Sequence, residues 1–292
     1  MRKTMKSAVA AMAVICVPAP LMAVGVADTA TGRYAAVNGL KMYYEVHGTG
    51  QPIVLLHGGL ATIDTTYAQI LPALAKTRRV VAVEFQGHGH TPDADREITV
   101  ERFVEDVAAL LGQLEIDRAD FMGYSFGGMV SLGTAIRHPT LVDRLILVGT
   151  PNSIAGLEPP IQEGIRTGAA GKSKPEDVPA PLREAYAKVA PDPQRLPIVG
   201  HKMTKALAEF PGWRLEDLRA LRSPVMFIVG DRDFVRPEHA VELFRLVPNA
   251  QLTMLPNAGH DAIVERSKAV LAVVTPFLEA PAAARSRAPS GE

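Results

Sequence analysis

Gly123-Tyr124-Ser125-Phe126-Gly127 lies between an apolar run, Asp120 to Tyr124, and a run of helical character, Phe126 to Arg137, which His138-Pro139 ends. This is a G-x-S-x-G pattern at a strand-to-helix junction. A free serine hydroxyl is a poor nucleophile; it needs an exposed perch, a base beside it and donors for the oxyanion it creates. A tight turn supplies the perch, and small residues two positions either side let the backbone fold that sharply. Ser125 is therefore the candidate nucleophile, and the flanking elements point to a strand followed directly by a helix.

The same alternation extends in both directions. Arg33 to Val37 and Leu40 to Val46 read as a hairpin around the Asn38-Gly39 turn. Pro52 to Leu56 and Arg79 to Phe85 are apolar strands, and Tyr67 to Ala75 between them reads as one helix. Val100 to Leu114 places Phe103, Val107, Leu110 and Leu111 on one helical face. Strands resume at Leu145 to Val148, Pro224 to Val229 and Gln251 to Leu255, with helices at Pro237 to Leu246 and Ile263 to Leu278. Near-continuous apolar strands alternating with helices imply an α/β architecture, a mostly parallel twisted sheet flanked by helices on both faces. The interval 151–223 carries no strand pattern, is rich in Pro and Gly, and is helical where regular. A structureless loop of that length is unusual, so it reads as an inserted helical lid. The core is then expected at 28–150 and 224–279, with a disordered Ala/Pro/Ser/Arg-rich tail at 280–292.

Candidate partners for Ser125 fall at the ends of other strands, where ligand sites collect in open parallel sheets. His260, in Asn257-Ala258-Gly259-His260-Asp261, follows the last strand and is the candidate base. Asp233 follows the preceding strand and is the candidate acid that orients the imidazole; Asp231, two residues earlier, competes with it. The glycines of His57-Gly58-Gly59-Leu60 allow a bent loop whose Gly59 N–H can meet an oxyanion, and the N–H of Phe126 at a helix start is the second candidate donor. His57 reads as a brace for that loop. Tyr186, His201, Met203, Phe210 and Trp213 in the lid are candidate substrate contacts, each with packing of the lid as the competing reading. His88, His90, Asp93 and Asp95 do not have the spacing of a structural zinc site, so no metal is expected.

The order Ser, Asp, His, together with Leu55-Leu56-His57-Gly58-Gly59, Gln86-Gly87-His88-Gly89, the Ser125 motif, Gly230 to Pro237 and Gly259-His260, resembles the α/β-hydrolase superfamily from about Gly32 to Leu278. The resemblance implies the α/β-hydrolase fold and favours Asp233 over Asp231, because the family's acid usually lies three positions after the glycine and four before a proline. A serine at the elbow argues against the haloalkane dehalogenases and epoxide hydrolases, whose nucleophile resembles an aspartate there. What the resemblance implies is hydrolysis of a small-molecule carboxylic ester or lactone through an acyl-enzyme, without a cofactor. A carbon–carbon bond hydrolase acting on a diketone-type substrate is the alternative, and a non-catalytic ligand-binding module of the same fold is the third reading.

Composition bounds the rest. The 292 residues are 47% hydrophobic and 21% charged, with 31 basic and 31 acidic residues, so nothing favours nucleic acid or an anionic membrane as partner. Arg2, Lys3 and Lys6 precede an apolar Ala-rich run from Ala8 to about Val26, which Pro18 and Pro20 interrupt. Small residues at Ala23, Gly25 and Ala27 complete the pattern of a secretory signal peptide over 1–27, implying a secreted or periplasmic mature chain without a stable membrane span. Cys16, the one cysteine, falls inside it, so thiolate catalysis and disulfides are excluded from the mature chain. Loss of that segment leaves 28 basic against 31 acidic residues.

Overall fold

The computed structural model describes residues 32–280 apart from residue 173. The expected signal peptide and nearly all of the expected tail lie outside the described residues. Eight strands form one sheet: β1 (Arg33–Val37), β2 (Leu40–His47), β3 (Gln51–Leu56), β4 (Arg78–Val83), β5 (Ala119–Tyr124), β6 (Val142–Val148), β7 (Val225–Gly230) and β8 (Ala250–Leu255). Their order across the sheet is β1-β2-β4-β3-β5-β6-β7-β8. The β1–β2 and β2–β4 pairs are antiparallel and every other pair is parallel. The carboxyl ends of the six parallel strands therefore open on one edge.

The period-two alternation of each strand divides the core between two faces. Val54 and Leu56 of β3 join Phe121, Leu145 and Leu147 on one face, while Ile53 and Leu55 join Met122, Ile146 and Ile228 on the other. The first face is covered by α3 (Val100–Gln113), α4 (Phe126–Arg137) and, after the lid, α9 (Pro237–Leu246). The second is covered by α1 (Ile63–Tyr67), with α10 (Ala262–Glu265) and α11 (Ser267–Glu279) at the chain's end.

The single helix expected at Tyr67 to Ala75 is instead two short ones, α1 and α2 (Leu71–Leu74). Pro72 sits in the first turn of α2. A proline there starts a helix readily, but inside a longer one its ring clashes with the preceding turn and its missing N–H breaks the ladder. Thr62 and Thr65 cap α1 reciprocally, side chain to backbone in both directions. The helix expected at Ile263 to Leu278 is likewise divided, into α10 and α11 at Arg266.

Between β6 and β7 the chain builds α5 (Pro159–Ala169), α6 (Ala180–Val189), α7 (Leu196–Glu209) and α8 (Leu215–Arg219). Val199, Met203, Phe210 and Trp213 of this lid belong to the same apolar cluster as α3 and α4. Trp213 anchors the lid's return to the core. Its Nε1–H donates to the Met129 carbonyl at 3.0 Å, and Asn152 pairs with its backbone N–H and carbonyl at 3.0 Å each. Its ring lies on Gly133 of α4, where a Cβ would come within 2.1 Å of Cζ2.

Trp213→Ala should therefore cost about 3–5 kcal/mol of unfolding free energy, the range for emptying a buried aromatic site. Urea unfolding followed by far-UV circular dichroism measures it, and a change below about 1 kcal/mol would refute the anchoring role.

Candidate active site

Ser125 has φ 51° and ψ −115°, a left-handed conformation that non-glycine residues seldom adopt. Such a conformation costs about 1–3 kcal/mol and persists only where surrounding structure enforces it. The enforcement is visible on both sides. The Ser125 N–H donates to Val148 O at 2.9 Å, tying the turn to the end of β6. Its carbonyl accepts from the N–H groups of Gly128 and Met129 at 3.0 and 3.2 Å, opening α4. Gly127 lets α4 lie directly on β3, because a Cβ there would stand 2.0 Å from Leu56 O.

His260 and Asp233 meet above this turn. The His260 Nδ1–H donates to Asp233 Oδ1 at 2.8 Å, and both side chains are buried. That bond leaves Nε2 as the basic nitrogen. Asp233 Oδ1 also accepts from the Val235 N–H at 2.9 Å, which fixes the carboxylate. The imidazole is stacked on Phe234, centroids 3.7 Å apart, and tilted against Tyr124 at 5.1 Å. Tyr124 immediately precedes Ser125, so the ring stands beside the turn. Gly149, at φ 53°, ends β6 beneath the pair; a Cβ there would lie 2.9 Å from His260 Nδ1 and 3.2 Å from Asp233 Oδ2. Asp231 is turned elsewhere. Its carboxylate accepts from the Ala258 N–H at 3.1 Å. The backbone N–H groups of Asn257 and Ala258 hold its carboxyl below the ordinary range. Of the two competing aspartates, only Asp233 contacts the imidazole.

The loop after β3 is braced by His57. Its Nε2 accepts from the Phe85 N–H at 3.2 Å, which leaves Nδ1–H to donate to Gly58 O at 2.7 Å. Burial first, then the neighbouring His88, pushes the His57 pKa down to about 3, so the ring is neutral at ordinary pH. His88 is held the same way, its Nδ1–H on Gln86 O at 2.8 Å and its pKa lowered to about 4 by burial. Gly59 then faces Phe126: a Cβ on Gly59 would lie 4.0 Å from Phe126 Cβ. The first N–H groups of α4 have no acceptor within the helix and carry the positive end of its dipole. A carbonyl carbon attacked by Ser125 can place its oxygen against these donors.

The lid residues separate into two groups. Met203 reaches the site, its Cε 3.4 Å from the Cβ position of Gly59. The contacts of the other four are with the fold. Phe210 packs edge-on to Trp213, which is seated on α4. The His201 ring meets Gly168 O at 3.1 Å, joining α7 to α5. Tyr186 is buried, and burial first, then the Asp93 charge, pushes its pKa up to about 12. A cavity between Gly59-Leu60 and the lid is lined in addition by Gly164, Val178, Leu182 and Gly200. Sequence reasoning passed over these small and aliphatic residues; the signal available was the i, i+4 spacing of Gly200 and Thr204 on α7, both of which line the cavity. The histidines and aspartates after β4 do not converge. His90 pairs with Glu84, while Asp93 turns toward lid cations.

A strained serine beside an imidazole bonded to an aspartate, on the carboxyl edge of a mostly parallel sheet, is an arrangement suited to a hydrolase of α/β class. The sequence profile described as the Alpha/beta hydrolase family matches residues 53–273. The chain belongs to this family and is an enzyme of it. It is 30% identical over 276 residues to the 2-hydroxy-6-oxo-2,4-heptadienoate hydrolase of Pseudomonas putida, spanning 85% of this chain and 96% of that protein. In fold it is similar to the enol-lactonase of Burkholderia xenovorans LB400, with TM-score 0.69, 24% identity and coverage of 85% and 100% of the two chains. Carboxylesterase CesB of Bacillus subtilis is similar at TM-score 0.69 and 22% identity, covering 86% and 92%.

Two measurements probe this geometry. Asp233→Asn should lower turnover by about a thousandfold or more through loss of tautomer control, whereas Asp231→Asn should change it by less than about tenfold. The reverse ranking in folded proteins would reassign the acid. Stability should also fall as pH drops from about 6.5 toward 4. The unfolded chain takes up protons there that buried His57 and His88 refuse, at up to about 1.4 kcal/mol per pH unit for each ring. His90, whose pKa is raised by the hydrogen bond its ring donates to Glu84, contributes with the opposite sign. His57→Asn should flatten the slope of urea midpoint against pH; an unchanged slope would contradict a neutral buried His57.

Proposed function

We propose that this enzyme hydrolyses an uncharged carboxylic ester or lactone through an acyl-enzyme on Ser125. The observation that carries the reading is the His260–Asp233 hydrogen bond of 2.8 Å beside the strained Ser125 turn. In the reaction, Ser125 Oγ bonds to the carbonyl carbon while its proton passes to His260 Nε2. The N–H groups of Gly59 and Phe126 hold the oxyanion. His260 returns the proton to the departing alkoxide, then takes one from the water that cleaves the acyl-enzyme. Asp233 stabilises the imidazolium in both halves. The lid supplies the cover and selects among acyl or alcohol groups, with Met203 nearest the reacting carbonyl.

An uncharged substrate suits the cavity. Its lining is mainly glycine and aliphatic side chains, and its charged residues, Lys174 and Asp177, are one of each sign. The lid cations Arg195 and Lys202 are both bound by Asp93. Burying a carboxylate beside this lining would leave it without a cation of its own. A carbon–carbon hydrolase acting on a dienoate is the second reading, favoured by the 30% identity to the heptadienoate hydrolase. Its chemistry also passes through attack on a ketone carbonyl, so the same residues would serve. Arg2, Lys3, Lys6 and the apolar run that follows support export, and thus action outside the cytoplasm.

Purified protein should be assayed on p-nitrophenyl acetate and butyrate, γ-butyrolactone and 2-hydroxy-6-oxohepta-2,4-dienoate. The expected result is a kcat/KM at least about tenfold higher on an ester or the lactone than on the dienoate. The opposite ranking transfers the assignment to the second reading. Ser125→Ala should abolish labelling by a fluorophosphonate and lower turnover by about a thousandfold or more. Folded wild-type protein that takes no label would support a binding module instead.

A further inference from the structure

Asp93 lies on the loop after β4, away from the nucleophile and its partners, yet its carboxylate is completely buried. A buried carboxylate is costly unless fully paired, and here every partner but one comes from the lid. Lys202 Nζ reaches both carboxylate oxygens at 3.0 Å and also donates to Ala94 O at 2.8 Å. Arg195 donates through Nε at 3.1 Å and through Nη2. Gln86 Nε2, from the same loop as Asp93, completes the set at 2.8 Å. Lys202 is mostly buried, whereas Arg195 is 37% exposed, so solvent screens the arginine and the lysine contact dominates.

The placement of these residues gives the cluster a consequence. Arg195, capping the N-terminus of α7, and Val199 and Lys202 on it form one stripe, at i, i+4 and i+7, facing the loop after β4. Val199 packs so closely there that a Cβ on Gly87, at φ 72°, would lie 2.9 Å from Val199 Cγ2. On the adjoining stripe Gly200 and Thr204 line the cavity, and Met203 beside them lies against Gly59. His201 ties α7 to α5 on a further side. A rigid helix held at Lys202 cannot shift without moving its neighbour Met203 relative to Gly59.

We propose that Asp93 is a positioning residue: through Lys202 and Arg195 it latches α7 to the core and thereby sets where Met203 covers the loop that carries Gly59. Ser125, Asp233, His260 and Phe126 all sit on the sheet side and do not depend on the latch. Losing it loosens the substrate cover and leaves the reacting groups in place. The effect then falls on substrate binding rather than on the chemical step. The assay rests on the ester reading, whereas the latch itself does not.

The test compares wild type, Asp93→Asn, Lys202→Met and the double variant of the full chain on p-nitrophenyl butyrate. Asp93→Asn should raise KM by about three- to thirtyfold, the range for a residue acting through an intervening element, with kcat within about threefold. The double variant should be no worse than the worse single variant, because both act through one contact. Trp213 emission should be unchanged, since that residue reports the lid's return to α4. Limited trypsin digestion should cut the lid faster in Asp93→Asn than in wild type. An unchanged KM with a lowered melting temperature would make the cluster merely structural and overturn the proposal, as would multiplicative losses in the double variant. If wild type ignores the butyrate ester but a butyl fluorophosphonate labels Ser125, the ester reading falls alone. The concentration for half-maximal labelling rate then replaces KM in the same comparison. Folded wild type that takes no label and shows the same trypsin sensitivity as Asp93→Asn overturns both.

Discussion

The left-handed backbone at Ser125 is the constraint on which the rest of the structure depends. A residue with a side chain does not stay at φ 51° by preference. It stays because α4 must start there and cannot start elsewhere. The helix is pressed onto the end of β3 at Gly127, and the turn is bonded sideways to β6 through Val148. These contacts tie three strands and one helix to a single dihedral. They also place Ser125 and the start of α4 on the carboxyl edge of the sheet.

Convergence at that edge follows from strand direction. Parallel strands return their carboxyl ends to one side, so the loops after β3, β5, β6, β7 and β8 become neighbours though they are spread over more than two hundred residues. Each contributes something different: the braced Gly58-Gly59 bend, the serine, the bare backbone of Gly149, Asp233 and His260. The bracing is mostly by neutral groups. His57 and His88, kept uncharged by burial, hold backbone carbonyls through Nδ1–H, and His57 also accepts from Phe85 N–H. Two of the buried ion pairs bear on the site, the Asp233–His260 pair and the Asp93 cluster at the lid. The first orients the His260 ring beside the Ser125 turn; the second holds an element that has no strand of its own in the sheet.

The lid is joined to the core by unlike means at its two ends. Its return is held by the Trp213 ring on Gly133 and by the Asn152 hydrogen bonds, with the apolar cluster of α3 and α4 beneath. Its α7 segment is held by a buried carboxylate with two cations. Apolar contact is tolerant of small shifts, whereas a paired buried charge is not, because displacement strands a charge in low dielectric. The less tolerant attachment is on α7, the helix that carries Met203 against Gly59.

Sequence alone determined the alternation of elements, the serine turn and the histidine, because each depends on local pattern: periodicity, glycine spacing and position after an apolar run. It left Asp231 and Asp233 distinguishable only by family resemblance. Two residues apart on one loop, they differ in where the backbone points them, and the structure directs one to His260 and the other to Ala258 N–H. It read Tyr67 to Ala75 as one helix because apolar spacing spoke louder than Pro72. The lid was legible as an interval but not in its parts. For Phe210 and Trp213 the sequence left pocket lining and packing onto the core as competing readings, and the bare backbone of Gly133 draws the indole onto α4. Asp93 reads in the sequence only as part of a His/Asp group without metal-site spacing, since Arg195 and Lys202 lie about a hundred residues away. Only the folding of α7 across the sheet's edge brings those charges together, and no local pattern encodes a contact made between separate elements.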